Sequence, residues 1–586
     1  MQGEEKGMKK RMQRAMALLL SGVLLCTSAG CGTSAGSGDV AEGTEAGTAS
    51  QDNATESAED TVTALSLMEE VNTKEVLVSE DNYRTWYELF VYSFYDSDGD
   101  GIGDLKGATE KLDYLNDGDP ATDTDLGCDG IWLMPIMPST TYHKYDVVDY
   151  YSIDPEYGTM EDFEVFVEEC HNRGINVIID MVINHTSSQH EWFQTAADYL
   201  KELPEGAEPD AAECPYVDYY YFSREKLGGY CELPGTDWYY EAQFWSEMPD
   251  LNLGNEAVRE EYSQIVDFWL EKGVDGFRLD AAKEYYSGNN TANVEVLTWF
   301  NSMVKEKKSD AYIVAEVWTD MDTYAEYYES GIDSCFNFAF AEQSGIITGA
   351  ARGTAISGAK SYGNSLVKLQ EALDAHSDSY IDAPFYTNHD TARGAGYYAG
   401  DYAVNQIKMS QAMNLLMTGS AFIYYGEEIG MKGSGIDENK RAPMYWTAEE
   451  NATGMCQGPA AMEDIDMIYG SLEDQQDDGN SIYNFVKETI QIRNSYPAIM
   501  RGRVALEGDL SGEDVCVIRK SYDGQEVLLA FNISAEAQTV DLSGISLEGA
   551  DAELQIGSVL LTSADATATL EDGTLTMPAY SVTIIE

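Results

Sequence analysis

Charged side chains end several short apolar runs of this sequence. Arg278 and Asp280 follow one such run and stand two residues apart, which places both side chains on one face of a strand. Another run ends at Glu316, and a third is followed by His389 and Asp390. A buried charge costs free energy unless it is paired or functional, so any one of these residues could belong to a structural ion pair. Together, these strand ends supply several carboxylates, an arginine and a histidine, which is more than a lone ion pair needs and includes residue types that can do chemistry.

The segments that carry these residues alternate with amphipathic helical patterns, such as Met160–Arg173, Glu256–Lys272 and Val404–Met417. Eight strands alternating with helices predict an α/β fold, a parallel (β/α)8 TIM barrel, whose strand ends meet at one mouth. The predicted strands are Trp86–Phe94, Gly130–Pro135, Asn176–Asn184, Gly276–Asp280, Tyr312–Glu316, Cys335–Phe338, Ala383–Asn388 and Ala421–Tyr425.

Two other segments adjoin the predicted barrel, which covers residues 81–500. Residues 186–255 follow the third strand, are rich in aromatic side chains and are far too long for a simple loop, so we interpret them as an inserted domain. Alternating strands with turn signals, such as Val515–Lys520, Glu526–Asn532 and Tyr580–Ile585, predict a C-terminal antiparallel β-sandwich over residues 501–586.

Four motifs stand at the strand ends in the order D-M-V-I-N-H, G-F-R-L-D-A-A-K, A-E-V-W and F-Y-T-N-H-D, preceded by Y-H-K-Y-D-V. In these motifs the chain resembles the α-amylase family of glycoside hydrolases, over about residues 83–586. The resemblance implies that Asp280 is the nucleophile, Glu316 the general acid/base and Asp390 a carboxylate that binds and distorts the sugar. A retaining glycosidase needs one carboxylate to attack the anomeric carbon and another, about 5 Å away, to protonate the leaving oxygen.

The two catalytic carboxyls need different pKa values. Arg278 beside Asp280 is expected to lower the pKa of that carboxyl and keep it ionised. Glu316 must hold its proton near neutral pH, so we expect surroundings that raise its pKa.

Further residues match substrate-binding positions of the family. The resemblance implies that His185 and His389 bind hydroxyl groups of the attacked sugar, and that Tyr145 stacks on it. For either histidine, the alternative is a buried core residue. Lys283 matches a residue that binds the sugar beyond the cleaved bond, but Glu284 stands where the family often has histidine, which leaves the role of Lys283 open.

An acidic loop follows the first strand. It offers carboxylates at alternate positions, glycines that let the chain wrap and one backbone carbonyl, and hard oxygen ligands of this kind suit Ca²⁺. The predicted ligands are Asp96, Asp98, Asp100, the carbonyl of Ile102 and Asp104. The loop resembles a calcium loop of the α-amylase family, and an acidic turn without metal is the alternative. A second calcium site at Asn184 and Asp250 also stays open, because Glu284 stands where the family often has histidine.

The charge balance restricts the partners. The chain has 586 residues and a formal net charge of −68, which repels nucleic acid and anionic lipid surfaces. A neutral ligand or a bound cation is the more natural partner. The family resemblance implies an α-glucan oligosaccharide or polysaccharide, and we expect a monomer.

The N-terminus has the pattern of an export signal, with basic residues before a short apolar run that ends in Ala-Gly-Cys31. Residues 1–30 resemble a bacterial lipoprotein signal, and Cys31 is then the lipidated residue of an extracellular, cell-surface protein. Ordinary cleavage and secretion is the alternative. Residues 31–80 are predicted to form a disordered tether. Of the remaining cysteines, only Cys214 and Cys231 are close enough in sequence to suggest a local disulfide, and free thiols are an equal alternative.

The leading functional hypothesis is hydrolysis of α-1,4-glucosidic bonds in starch or maltodextrins with retention of configuration. A first alternative is an α-glucosidase, a neopullulanase-like enzyme or a transglycosylating enzyme on short α-glucans. A second is a non-catalytic carbohydrate-binding lipoprotein built on the same barrel, which the presence of all three carboxylates argues against.

Overall fold

The computed structural model describes residues 62–204, 206–449, 451–549 and 553–586. The first ten strands are β1 Thr85–Leu89, β2 Gly130–Leu133, β3 Asn176–Met181, β4 Phe222–Ser223, β5 Tyr230–Glu232, β6 Tyr239–Glu241, β7 Gly276–Leu279, β8 Tyr312–Ala315, β9 Ser334–Cys335 and β10 Ala421–Tyr424. Seven of them form one parallel sheet in the order β10-β1-β2-β3-β7-β8-β9. Parallel bridges from Phe336 to Ala383 and from Phe385 to Phe422 make residues 383–385 the eighth strand, which closes the sheet. The predicted (β/α)8 barrel is confirmed.

Helices connect the strands and begin where side chains can cap them. Thr159 and Asp162 form a capping box at the start of Met160–Asn172, and Asn255 caps Glu256–Glu271. None of the described helices is long and apolar enough to cross a membrane. The helices are Ala64–Glu69, Leu105–Glu110, Leu112–Leu115, Met160–Asn172, Glu191–Glu202, Glu256–Glu271, Asn290–Lys307, Met321–Glu326, Ile346–Ala351, Lys360–His376, Ala403–Leu415, Asp437–Lys440, Leu472–Gln476, Ile482–Ser495 and Pro497–Arg501.

The barrel interior has an apolar floor and a charged upper layer. In the floor, Trp86 stacks on Tyr312 with ring centroids 5.0 Å apart. Gly130 admits this indole, because a Cβ at that position would lie 2.4 Å from the Trp86 ring. Side chains alternate with period two, so the next inward-facing positions lie closer to the carboxyl ends of the strands. These upper positions hold buried charged residues, namely Glu88, Asp180 and Arg278.

Two smaller β regions accompany the barrel. Between β3 and the helix Glu256–Glu271, strands β4, β6 and β5 form a three-stranded antiparallel sheet. Cys214 and Cys231 in this segment are both free thiols, so the suggested disulfide is not formed. At the C-terminal end, a five-stranded and a three-stranded sheet pack around an apolar core. Their strands are β11 Arg503–Leu506, β12 Val515–Tyr522, β13 Gln525–Asn532, β14 Gln538–Asp541, β15 Ile556–Leu561, β16 Thr569–Glu571, β17 Thr574–Met577 and β18 Ser581–Ile585.

The predicted tether is too long at its C-terminal end. The helix Ala64–Glu69 packs on β15, and the Asn72 side chain donates to Glu488 at 2.8 Å and to the carbonyl of Val559 at 2.9 Å. Residues 62–80 are therefore part of the folded region. Their partners lie more than 400 residues away in sequence, so local composition could not reveal them. The rest of the predicted tether, the signal segment and Cys31 lie outside the described residues.

Candidate active site

A cleft of about 590 Å³ opens at the carboxyl ends of the barrel strands. Among the predicted site residues, it is lined by Tyr145, His185, Asp280, Lys283, Glu316 and Asp390. Arg278 and His389 do not line it, because both side chains are completely buried beneath these residues. Their predicted contacts with a sugar therefore stay predictions, whereas their contacts with the carboxylates of the site are direct.

Arg278 joins the carboxylates of three strands. One terminal nitrogen donates to Asp180 at 2.8 Å and to Asp280 at 2.8 Å, and the other donates to Glu316 at 2.6 Å. Directly after Asp280 the chain turns through the left-handed region at Ala281, with φ of 48°, and the Ala281 N–H donates to Glu316 at 3.1 Å. The guanidinium and this backbone turn thus hold Asp280 and Glu316 side by side at the cleft floor.

Burial shifts the pKa values of these two carboxyls upward. The pKa of Asp280 is raised to about 6 by burial, helped by the nearby Asp180 and Asp390 carboxylates, and Arg278 opposes the rise. The pKa of Glu316 is raised to about 7 by burial and the same kind of carboxylate repulsion. Arg278 lowers the pKa of Asp280, as expected, but desolvation outweighs the guanidinium, so the net pKa lies above the ordinary value. The raised pKa of Glu316 is the direction expected for a carboxyl that must hold a proton near neutral pH.

Asp390 has the opposite environment. His389 lies 3.1 Å from one of its carboxylate oxygens and Arg441 lies 3.2 Å from the other. Burial would raise the pKa of Asp390, but His389 and Arg441 hold it well below its ordinary range. Lys440 donates to the backbone carbonyl of Asp390 at 2.7 Å. Asp390 is therefore a fixed anion in the wall of the cleft.

Two further predicted binding residues are firmly positioned. The Tyr145 hydroxyl contacts Asp180 at 3.0 Å and His389 at 2.8 Å, and its ring stacks on His389. His185 lies 3.3 Å from the backbone carbonyl of Tyr145, and burial lowers its pKa to about 4, so it is neutral near pH 7. A neutral imidazole can exchange hydrogen bonds with hydroxyl groups.

The rim of the cleft is less buried. Lys283 and Glu284 face each other at 3.8 Å and are each about one-third exposed. Two aromatic side chains also reach the cleft: Phe244, 52% exposed, and Trp318, 45% exposed and stacked on Phe338 at 4.8 Å. Exposed aromatic faces beside polar groups are typical of sites that bind ligands with both apolar and hydroxyl-bearing surfaces.

The acidic loop, residues 96–104, lies apart from the cleft. Oxygen atoms of Asp96, Asp98 and Asp104 all lie within 4.8 Å of one another. This set of hard oxygen donors fits Ca²⁺, which such residues would hold through their carboxylates. Asp100 does not belong to the group, and its carboxylate instead accepts the N–H of Ile102 at 2.8 Å.

Comparison with known proteins decides the family. A family profile described as "Alpha amylase, catalytic domain" matches residues 88–502. The chain belongs to the α-amylase family. It is 40% identical over 427 residues to α-amylase 3 of Dictyoglomus thermophilum, covering 72% of this chain and 78% of that protein. It is 30% identical over 540 residues to the trehalose synthase/amylase TreS of Mycolicibacterium smegmatis, covering 79% and 85%. The solved structure of Eubacterium rectale Amy13B superposes with a TM-score of 0.85 at 53% identity and covers 90% of this chain and 99% of that one. The protein is therefore a glycoside hydrolase of α-amylase type.

Several residues of this α-amylase-family site received no role from the sequence. Asp180 opens the first motif and binds Arg278, and Arg441 lies in the segment R-A-P-M-Y-W. Both could have been suspected, since a charge in a strand or motif needs a partner. Glu88 had a similar signal, as a single acid within the apolar run W-Y-E-L-F. Phe244 and Trp318 carried no signal that separates a cleft residue from a core aromatic.

Asn184 and Asp250, the residues of the possible second calcium site, contact each other. The Asn184 side chain donates to Asp250 at 3.3 Å. Burial, with the neighbouring Glu241 and Glu284 carboxylates, raises the pKa of Asp250 to about 7. Glu284 itself lines the cleft. A second calcium site at Asn184 and Asp250 therefore stays a hypothesis.

Proposed function

We propose that this protein hydrolyses α-1,4-glucosidic bonds of starch or maltodextrins with net retention. The observation that carries the proposal is the pair Asp280 and Glu316, bound to the two terminal nitrogens of Arg278 at the floor of an open cleft. Asp280 attacks the anomeric carbon while Glu316 gives its proton to the leaving oxygen. Glu316 then takes a proton from water, whose oxygen displaces Asp280 and releases the product. The anion at Asp390 binds the sugar in its distorted form.

The cleft also supports the proposed substrate. It is open at the surface and is bordered by Phe244 and Trp318, whose exposed faces can stack on sugar rings. A neutral glucan avoids the repulsion that a net charge of −68 imposes on an anionic substrate.

Product analysis tests the substrate and the stereochemistry. We expect maltoheptaose to be cleaved to shorter maltooligosaccharides, and proton NMR to show the α-anomer as the first product. A first product in the β-form would contradict retention. Activity on disaccharides alone would contradict an amylase.

Substitution tests the assigned nucleophile. Asp280→Asn is expected to lower the hydrolysis rate by at least about a thousandfold. Asp275→Asn is the matched control. Asp275 lies directly before the N-terminal end of β7, away from the cleft, and pairs there with His171 and Lys308. Unchanged hydrolysis by Asp280→Asn would refute its role, and no turnover by the wild-type protein would favour the carbohydrate-binding alternative.

A transglycosylating or α-glucosidase activity is the second candidate. It is favoured by the similarity to the Mycolicibacterium smegmatis protein named trehalose synthase/amylase TreS. Water and a sugar hydroxyl compete for the same covalent intermediate, so the chemistry needs no new residue. Longer oligosaccharides or a non-reducing disaccharide formed from concentrated maltose would identify this activity.

We propose that Ca²⁺ binds Asp96, Asp98 and Asp104 and stabilises the loop that follows β1. The proposal is supported by the closeness of the three carboxylates. The ion has no part in the hydrolytic step.

We also propose that the protein is anchored at the cell surface through a lipid on Cys31. The support is the signal-like sequence before this residue. Cys31→Ser should abolish incorporation of a labelled fatty acid and release the protein into the medium. Secretion of the wild-type protein without lipid would contradict the anchor.

A further inference from the structure

Glu88 is a buried carboxylate that the proposed mechanism does not use. It lies on β1, and its side chain is 2% exposed. One carboxylate oxygen lies 2.5 Å from Nδ1 of His389 and 3.4 Å from the backbone N–H of the same residue. A buried carboxylate is costly without such a partner, so this contact is the reason Glu88 can be accommodated inside the barrel.

The other side of the His389 ring faces acceptors as well. Nε2 lies 3.1 Å from Asp390 and 2.8 Å from the Tyr145 hydroxyl. A neutral imidazole has a single N–H and could donate to only one of the two carboxylates. At Nε2 the hydrogen bond is with Tyr145, and Asp390 is an ion-pair contact. Because the Tyr145 hydroxyl gives its one proton to Asp180, Nε2 is the donor to Tyr145 while Nδ1 donates to Glu88, which requires both nitrogens to be protonated.

We propose that Glu88 is a positioning residue that holds His389 as an imidazolium, and that His389 in turn keeps Asp390 ionised and oriented in the cleft. The inference rests on the proposed function only for the role of Asp390 towards the sugar. The charge of His389 follows from the contacts alone.

The surroundings of His389 agree with a cation. Four ionisable groups face it: Glu88 from β1, Asp180 from β3, Asp390 and Tyr145. Arg278, a cation that would oppose a charge on His389, lies on the far side of Asp180 and is paired with it. Burial alone would lower the pKa of His389, but Asp390 and Glu88 raise it to about 9. Trp132 closes one side of the ring with an edge contact at 5.7 Å.

NMR of the imidazole nitrogens tests the charge directly. The chain has six histidines, so histidine-selective ¹⁵N labelling gives a short list of signals, and His389→Gln assigns the one of interest. At about pH 7.5 we expect both nitrogens of His389 to be protonated in the wild-type protein. In Glu88→Gln we expect the ring to become neutral, with its titration at least about one pH unit lower. A neutral His389 in the wild type, or an unchanged titration in Glu88→Gln, would overturn the proposal.

The activity of Glu88→Gln separates a charge effect from a structural one. We expect kcat/KM to fall about tenfold near pH 8 and about twofold near pH 5.5, because acid restores the imidazolium. An equal loss at both pH values would indicate a structural role alone and would contradict the proposal. Glu428→Gln is the control, since Glu428 is also fully buried but accepts from Tyr87 and Tyr114 rather than from a histidine. It is expected to leave the pH dependence unchanged.

If Glu88→Gln does not fold, Glu88→Asp keeps the negative charge and should retain the doubly protonated His389 signal. Loss of that signal in a folded Glu88→Asp protein counts against the proposal. The NMR result does not depend on the substrate, so failure of the proposed glucan hydrolysis and failure of this inference are distinguishable.

Discussion

The cleft and the acidic loop both crowd carboxylates, but the protein neutralises them differently. In the cleft, Arg278 binds Asp180, Asp280 and Glu316, and a second cation, Arg441, binds Asp390. In the loop, the carboxylates accept backbone and hydroxyl hydrogen atoms: Asp96 accepts from Gly101, and Asp104 from Ser97. The nearest lysine in sequence, Lys106, pairs with Asp162 instead, at 3.4 Å.

The difference follows from what each region must do. Catalytic carboxylates need fixed positions and suitable pKa values before the substrate arrives. Buried cations built into the strands fix the positions, and burial together with these cations sets the pKa values. The loop needs only a shape, and a bound cation can supply it after folding. The chain therefore supplies its own cations for the cleft, and we expect it to take one from solution for the loop.

Removing the cation of the cleft should have the largest effect. Arg278→Leu leaves three buried carboxylates without their shared partner, so we expect the free energy of unfolding to fall by about 3–5 kcal/mol and hydrolysis to be lost. Urea unfolding and an activity assay measure the two effects. Arg503→Leu is the control, because its ion pair with Asp374 is more than half exposed on the arginine side and should contribute about 0–1 kcal/mol. Equal losses in the two variants would break the comparison.

The pH dependence of stability should reveal the cation at His389. Its folded-state pKa, about 9, exceeds the ordinary value of 6.5, so its contribution is fully present below about pH 6.5 and is lost as the pH rises through 9. Between about pH 7 and 9 this loss is about 2–3 kcal/mol. Asp280, with a pKa near 6, is largely ionised over that range. Glu316, with a pKa near 7, is half protonated at pH 7 and adds only about 0.4 kcal/mol between pH 7 and 9.

The measurement compares urea unfolding of the wild-type protein with that of His389→Gln at several pH values. Other groups titrate in both proteins, so the difference between the two curves isolates His389. We expect that difference to shrink as the pH rises from about 7 to 9. A constant difference would show that His389 carries no extra proton in the folded state.

Chelation should affect the acidic loop but leave the cleft intact. Ca²⁺ at about 100 times its Kd stabilises a folded protein by about 2.7 kcal/mol, so its removal should lower Tm without changing the pH profile of hydrolysis. Asp98→Ala removes one of the three clustered carboxylates and should abolish the response to Ca²⁺. Asp100→Ala is the matched control and should retain it. A Tm indifferent to chelator would leave the loop as an acidic turn without metal.

The sequence predicted the barrel and the position of Asp280 and Glu316 at its strand ends, because each depends on local patterns. Strands such as Gly276–Leu279 are short apolar runs, and Asp280 and Glu316 follow directly from motifs at their ends. The net pKa of Asp280 could not be predicted in the same way. It depends on burial and on Asp180 and Asp390, which come from other strands of the barrel.

The same reasoning explains the other differences. Asp100 stands at the alternate spacing of a ligand, but the path of the loop turns its carboxylate to the N–H of Ile102. The role of Glu88 depends on His389, 301 residues away. Such long-range pairings are set by how the barrel closes. The alternation of strands and helices in the sequence predicts the barrel topology but not which side chains meet inside it.

The rim of the cleft provides the weakest test of the comparison. Lys283 and Glu284 form a pair that is about one-third exposed, with 3.8 Å between the charged atoms, so solvent screens it far more than the pairs of Arg278. Lys283→Ala should therefore change the free energy of unfolding by less than about 0.5 kcal/mol.

Because Lys283 lines the cleft, we expect KM for a maltooligosaccharide to rise about threefold with kcat nearly unchanged, as for a residue that binds ground state and transition state alike. Lys368→Ala, at an exposed pair with Asp322 outside the cleft, should change neither quantity. If Lys283→Ala lowers kcat and leaves KM unchanged, the charge at the rim acts on the transition state, and the division between a buried catalytic network and a solvated binding rim fails at this residue.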